Sequence, residues 1–196
     1  MKATLFLKWT LFCLACLAGP WPKAVGAEEE FRLVTETLEI PERGVVTVYV
    51  LLAEGHRFSF LPPTRWSVRP DAPKKAVHLL PEDLRAGISF KIQAGQNGAK
   101  PELNPRQLRE QLLERYPQAR ISDEFKCYAG GSEGVAFDIE RMVGQETSAS
   151  SRLAFVAFKG GTVEFELTAN TSRFADYHLS FGRLLSSFRI DPPTTK

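Results

Sequence analysis

Leu153-Ala-Phe-Val-Ala-Phe158, Lys159-Gly-Gly-Thr162 and Val163-Glu-Phe-Glu-Leu167 decide the fold of this chain. The first run is apolar at every position, as a strand in the middle of a sheet is. The glycine pair supplies residues that take positive φ at no steric cost, which suits a tight hairpin. The third run alternates, so Val163, Phe165 and Leu167 share one face while Glu164 and Glu166 share the other. After Asn170-Thr171-Ser172, three residues that cap helices well, the period changes. Phe174, Tyr177, His178, Phe181, Leu184, Leu185 and Phe188 recur at helical spacing as one apolar stripe. The reading is a hairpin covered by a C-terminal helix, with Phe188-Arg-Ile190 as a short last strand.

Working outward, period-two runs predict strands at Leu33–Ile40 and Val45–Leu52 around a Pro41–Gly44 turn. Others follow at Phe58–Phe60, Trp66–Val68, Ala76–Leu80, Gly87–Gln93, Glu124–Tyr128 and Val135–Arg141. Arg69–Lys75, Ala94–Leu103 and Gly144–Ser151 are expected to be polar loops. Asn104-Pro105 pairs an N-cap with a proline at the first helical position. Leu108, Leu112, Leu113 and Tyr116 then form a helical stripe that Pro117 ends. Ile88, Phe90, Ile92, Phe125, Cys127, Val135, Phe137, Ile139, Val163, Phe165 and Leu167 are assigned inward. Lys91, Lys126, Asp138, Glu140, Glu164 and Glu166 are assigned outward. This predicts an antiparallel sheet with one apolar and one charged face, flanked by helices in an α+β fold.

The chain opens with Lys2 and Lys8, the apolar run Trp9–Ala18, a Gly-Pro break and Val25-Gly26-Ala27. That is the pattern of a signal peptide cleaved after Ala27, and it predicts a secreted or periplasmic protein. The run is about half the ~20 residues a membrane span needs. No transmembrane segment is expected in the mature chain. Removing 27 of 196 residues leaves 169, enough for one domain with its own core. Residues 28–54 read as an N-terminal β-hairpin extension, 55–191 as the domain and 192–196 as a tail. Cleavage takes three lysines and no acid, so the formal charge of +2 becomes −1. Nothing in that balance points to nucleic acid. Two of three cysteines leave with the leader, and Cys127 alone cannot make an internal disulfide.

Phe58-Ser-Phe60-x-Pro62 leading to Trp66, Gly87-Ile-Ser-Phe90-Lys-Ile92, the hairpin Phe155–Phe165 and the ending Leu184-Leu-Ser-Ser-Phe188-Arg-Ile190 resemble the PsbP/DcrB-like superfamily. Its fold is shared with a small Ran-binding protein, and the resemblance covers about residues 55–191. It implies an antiparallel sheet flanked by helices and a role as an accessory or binding protein. It carries no shared catalytic set to transfer.

Gly130-Gly-Ser-Glu-Gly134 matches the G-x-S-x-G pattern of serine hydrolases, which needs a helix directly after the serine turn. Here a period-two run follows, so a glycine-rich hairpin loop is expected instead. Cys127 sits at an inward position, where a cysteine acts as a small core residue rather than a thiolate nucleophile. His56, His78 and His178 show no ligand spacing, and the mature chain holds neither H-E-x-x-H nor C-x-x-C. His178 reads as a core-edge residue. Asn170-Thr-Ser172 is a glycosylation sequon that helix capping explains equally well. What remains is the charged face of Lys91, Lys126, Asp138, Glu140, Glu164 and Glu166. It could dock a basic partner or hold a divalent cation weakly, or be a solvated surface, or one covered by Arg106, Arg109 and Arg115 of the first helix. The expectation is a non-catalytic accessory domain without cofactor, binding an unidentified protein or small ligand through that face or through the Ala94–Leu103 loop. The alternatives are a hydrolase using Ser132 or Cys127, and a weak cation binder.

Overall fold

The structure, a computed structural model, describes residues 31–40, 44–95, 98–144 and 147–191. The expected leader and its cleavage point, turn residues 41–43 and the tail 192–196 lie outside them. The described chain is α+β, and every strand pairing is antiparallel.

A four-stranded sheet runs in the order β1 (Arg32–Ile40), β2 (Gly44–Ala53), β3 (His56–Phe60) and β12 (Arg189–Asp191). An eight-stranded sheet runs β4 (Trp66–Asp71), β5 (Ala76–Pro81), β6 (Ala86–Ala94), β11 (Gly161–Asn170), β10 (Thr147–Phe158), β9 (Ser132–Val143) and β7 (Arg120–Ile121), and β8 (Phe125–Ala129) also pairs with β9. The N-terminal hairpin β1–β2 is continuous with β3 and the C-terminal strand, so it is part of a sheet rather than an appendage. Leu61-Pro62-Pro63 carries the chain from the small sheet to the large one, which suits residues that cannot donate to a ladder. Ser187 fixes that crossing to the C-terminal helix. The Leu61 N–H donates to its Oγ at 3.1 Å, and its hydroxyl lies 2.9 Å from the Leu184 carbonyl.

Helix α1 (Pro105–Arg115) begins as the cap pattern dictates, with Asn104 Oδ1 accepting from the Arg106 and Gln107 N–H groups. At the C-terminal end the single expected helix is two segments. A 3₁₀ stretch covers Thr171–Tyr177, and α2 covers His178–Ser187. At three residues per turn Phe174 and Tyr177 fall on one side, which buries both and lets the α-helical residues Phe181, Leu184 and Leu185 continue the stripe.

The large sheet is covered on both sides, and this corrects the expectation of one apolar and one charged face. Ile88, Phe90, Ile92, Val163, Phe165, Leu167, Ala154, Val156 and Ala136 face the small sheet and α2. Phe137, Ile139, Leu153 and Phe155 face the other way, onto Leu112 of α1. Register explains the split: Ala136 lies opposite Ala154 and so in line with Phe165, whereas Phe137 lies opposite Leu153 and in line with Glu166. Because both faces of β9 and β10 are buried, alternation could not tell which face was which.

Three further segments differ from expectation. Ser132–Gly134 belong to β9, which leaves Gly130 and Gly131 (φ +60° and +73°) as a two-residue hairpin turn. Thr147–Ser151 extend β10 rather than forming a loop, and Arg69–Asp71 extend β4. The short strand β7 carries no pattern of its own.

Phe188 joins these layers. It is fully buried, lies edge-on to Phe165 at 4.8 Å and to Phe90 at 5.3 Å, and stacks near Phe60 at 6.2 Å. Phe188→Ala should lower unfolding stability by about 3–5 kcal/mol in urea titration. Leu179→Ala, at a residue 65% exposed on α2, should change it by less than about 0.5 kcal/mol.

His178 lies at the edge of that core, its ring 4.7 Å from Phe174, and its buried Nε2 has no hydrogen-bond partner among the described residues. Burial holds its pKa below the ordinary 6.5, Arg152 lowers it further, and Asp138 opposes the shift. A base with a lowered folded pKa binds fewer protons folded than unfolded, so its contribution is present above pH 6.5 and lost as pH falls below it. The melting midpoint should therefore drop between pH 7.5 and 5.5, and His178→Leu should make that drop smaller.

Candidate functional site

The six charged residues do not share a surface. Asp138 points to the α2 side of the large sheet, where it accepts from Arg152 Nε at 2.7 Å and Nη2 at 2.8 Å. The Arg152 guanidinium lies 4.9 Å over the Phe125 ring. Glu140 is exposed on that same side, in register with Arg120. Glu164, Glu166 and Lys91 point to the α1 side, with Lys91 across from Glu164. Lys126 is exposed and pairs with Glu133 at 2.9 Å. The expected four-carboxylate strip is thus two pairs on opposite faces. Among the described residues no cluster of three or more acids, histidines or cysteines converges as metal ligands do.

Glu164 is the exceptional member, with a side chain only 2% exposed. Its Oε1 accepts from Arg115 Nη1 at 2.6 Å, and its Oε2 accepts from Arg115 Nη2 at 3.1 Å and from Gln93 Nε2 at 3.2 Å. The carboxylate in turn holds the Arg115 guanidinium above its ordinary pKa. The fork comes from the last turn of α1, so the pair fixes how that helix lies on the sheet. Removing one partner of such a buried pair costs about 3–5 kcal/mol, toward the low end here because Arg115 is partly solvated.

Beside this pair lies a cleft of about 190 Å³, lined by α1, the segment 101–104 and the sheet. Its polar lining includes Gln93, Gln107, Gln111, Thr162 and the Glu164–Arg115 pair, with Glu102 and Asn104 from the preceding segment, and Phe155, Leu103 and Leu108 supply apolar surface. The loop after β6 is tied down at the β10–β11 turn. The Gly95 N–H donates to the Gly160 carbonyl at 2.7 Å, and the Gly160 N–H donates to the Ala99 carbonyl at 3.2 Å. A Cβ on Gly161 would come 2.1 Å from the Gln93 carbonyl oxygen, so only glycine permits this close approach. The sequence offered two parts of the site, Glu164 and the 94–103 loop. It also offered Arg115, as a first-helix residue that could cover the charged face, and Arg115 does cover Glu164. It did not offer Gln93, Gln107 and Gln111 as site residues, whose convergence depends on the docking of α1. The glutamines at i and i+4 are the one signal that could have found them.

The nucleophile candidates lack the required geometry. Ser132 starts β9 opposite Ala129, with no hydrogen bond to a histidine among the described residues. Gly134 of the same motif is explained by packing, since a Cβ there would meet the Phe155 carbonyl oxygen at 2.2 Å. Cys127 is buried, and burial pushes its thiol up to about 11, against a smaller lowering by a backbone hydrogen bond with Phe155. It is a thiol at neutral pH. Asn170 caps the 3₁₀ segment, its Oδ1 accepting from the Ser172 N–H at 3.0 Å.

No family model matches the sequence, and neither does any curated protein. Among solved structures, the chain is similar to the cyanobacterial PsbP protein CyanoP of Synechocystis at 14% identity and a TM-score of 0.51, covering 88% of this chain and 100% of that one. A protein of Bacteroides thetaiotaomicron is similar at 13% identity and a TM-score of 0.50. The match covers 71% of this chain and 47% of that one, so this chain spans about half its length. LpqN of Mycobacterium tuberculosis, described as involved in cell envelope biogenesis, is similar at 11% identity and a TM-score of 0.43, covering 82% and 92%. At such identities the likeness concerns fold alone, and the fold is PsbP-like.

Proposed function

We propose that this chain is an extracytoplasmic accessory domain that performs no chemistry of its own and binds a small polar ligand in the cleft beside α1. The observation that carries the reading is the buried Glu164 carboxylate, held by Arg115, beside a polar, small-molecule-sized cleft. Sites of this kind place a few fixed polar groups against apolar walls, as Gln93, Gln107 and Thr162 stand against Phe155 and Leu103 here. The address rests on the leader pattern of residues 1–27. The likeness to CyanoP supports the accessory reading only through the fold.

Two measurements test it. In ligand-observed NMR, small polar fragments should bind the wild type in competition with one another, and Gln111→Phe, which fills the cleft from α1, should abolish the signal. Fragments that bind both proteins equally, or neither, would remove the cleft from consideration. Iodoacetamide and an active-site phosphonate should leave native Cys127 and Ser132 unlabelled over hours, while denatured protein alkylates stoichiometrically at Cys127. Rapid native labelling at either residue would reinstate the hydrolase.

A further inference from the structure

We infer that the α1 cleft selects a neutral, hydroxyl-rich molecule of about monosaccharide size, an inference that rests on reading the cleft as a binding site. Three features of the lining converge on this class. The first is charge. The two charges at the cleft floor belong to one bidentate pair, so they cancel at contact distance. A charged ligand therefore meets no net opposite charge at the floor, and an anion that drew Arg115 away would strand the buried Glu164 carboxylate. Among the described lining residues the remaining ionised group is Glu102, which is exposed at the rim.

The second feature is hydrogen-bonding capacity. A guanidinium carries five N–H donors and a carboxylate about four acceptor sites. Arg115 spends two donors on Glu164, and Glu164 accepts three bonds in all. Donors and an acceptor position are therefore left over without breaking the pair. Gln93, Gln107, Gln111 and Thr162 each both donate and accept, as a hydroxyl does and as an ammonium or a carboxylate does not. Gln107 and Gln111 stand one turn apart on the same face of α1, about 5–6 Å between their Cβ atoms. That spacing lets the two amides address neighbouring hydroxyls on one ring.

The third is size and wall chemistry. About 190 Å³ falls below the ~300–1,000 Å³ typical of cofactor and drug-sized pockets. Phe155, Leu108 and Leu103 offer apolar surface to the C–H face that a sugar ring presents alongside its hydroxyls.

The test uses the full chain as expressed. Saturation-transfer NMR is run with glucose, galactose, N-acetylglucosamine and myo-inositol as neutral probes, and with putrescine, glucuronate and inorganic phosphate as charged ones. The expected result is saturation of at least one neutral probe. Its affinity should fall about tenfold or more in Gln107→Ala/Gln111→Ala, as the loss of two hydrogen bonds of ~1 kcal/mol each implies. Both glutamines are exposed helix-surface residues, so the variant should keep the wild-type circular dichroism and melting midpoint. Binding of charged probes alone, lost in the variant, would overturn this inference and leave the cleft a binding site. Neutral binding that the variant does not weaken would overturn it by placing the sugar elsewhere. Silence from every probe at tens of millimolar overturns it as well. The fragment comparison with Gln111→Phe then decides separately whether the cleft binds anything.

Discussion

The contact of Phe188 with Phe165, Phe90 and Phe60 is the joint on which the two sheets depend. At Phe188 the helix α2 ends. Its N–H still donates to the Leu184 and Leu185 carbonyls, while its own backbone is already extended. The next three residues pair with β3, far back in the chain. Closing so long a loop sounds costly, yet each doubling of loop length adds only about 0.6 kcal/mol. Fully burying one phenylalanine contributes about 1.5–3 kcal/mol. Packing of the aromatic cluster, rather than distance along the chain, therefore decides which segment completes the small sheet.

A buried acid under α1 needs a different account. A hydrophobic pair of similar volume at Glu164 and Arg115 would be as stable or more so, since desolvation offsets most of the attraction. What the pair adds is definition. A planar fork on a carboxylate permits one arrangement of the last turn of α1 against β11, and greasy side chains would let the helix settle closer and close the cleft. The same strand thus serves two sides, with Phe165 in the aromatic core and its neighbour Glu164 in the polar site. Gln93, at the end of the adjacent strand, completes the arrangement.

The parts legible in the sequence were those governed by neighbours along the chain. The β10–β11 hairpin followed from Gly160-Gly161 between two strand-like runs, and α1 from Asn104-Pro105. The C-terminal aromatic stripe was read correctly as the cover of the sheet. The parts that were not legible depend on partners distant in sequence. The phase of β9 was misread because Phe137 packs on α1 while Ala136, a small residue, faces the aromatic core. Thr147–Ser151 looked like a loop because its serines are polar. In the fold they lie between two long strands, where Ser151 shares a hydroxyl contact with Thr168 at 2.6 Å and accepts from Arg141 at 3.2 Å. β-propensity was overruled there by the pairing available on both sides. The charged face dissolved for the same reason, since Asp138 and Glu164 belong to strands whose alternation runs out of phase.

That division has a consequence for recognition. Asp138 and Glu164 are each held bidentate by one arginine, on opposite sides of the sheet. Charge spent inside such pairs projects little field into solvent. A face of four free carboxylates would have drawn a basic partner from a distance and raised its on-rate. The fold instead leaves recognition to groups that act only at contact: amides in fixed positions, one paired guanidinium and an aromatic wall. Such a site discriminates by the hydrogen bonds a ligand can make to it, about 0.5–1.5 kcal/mol for each one gained. Selectivity at the α1 cleft is therefore set by hydrogen-bond geometry, and it requires that Arg115 remain where Glu164 holds it.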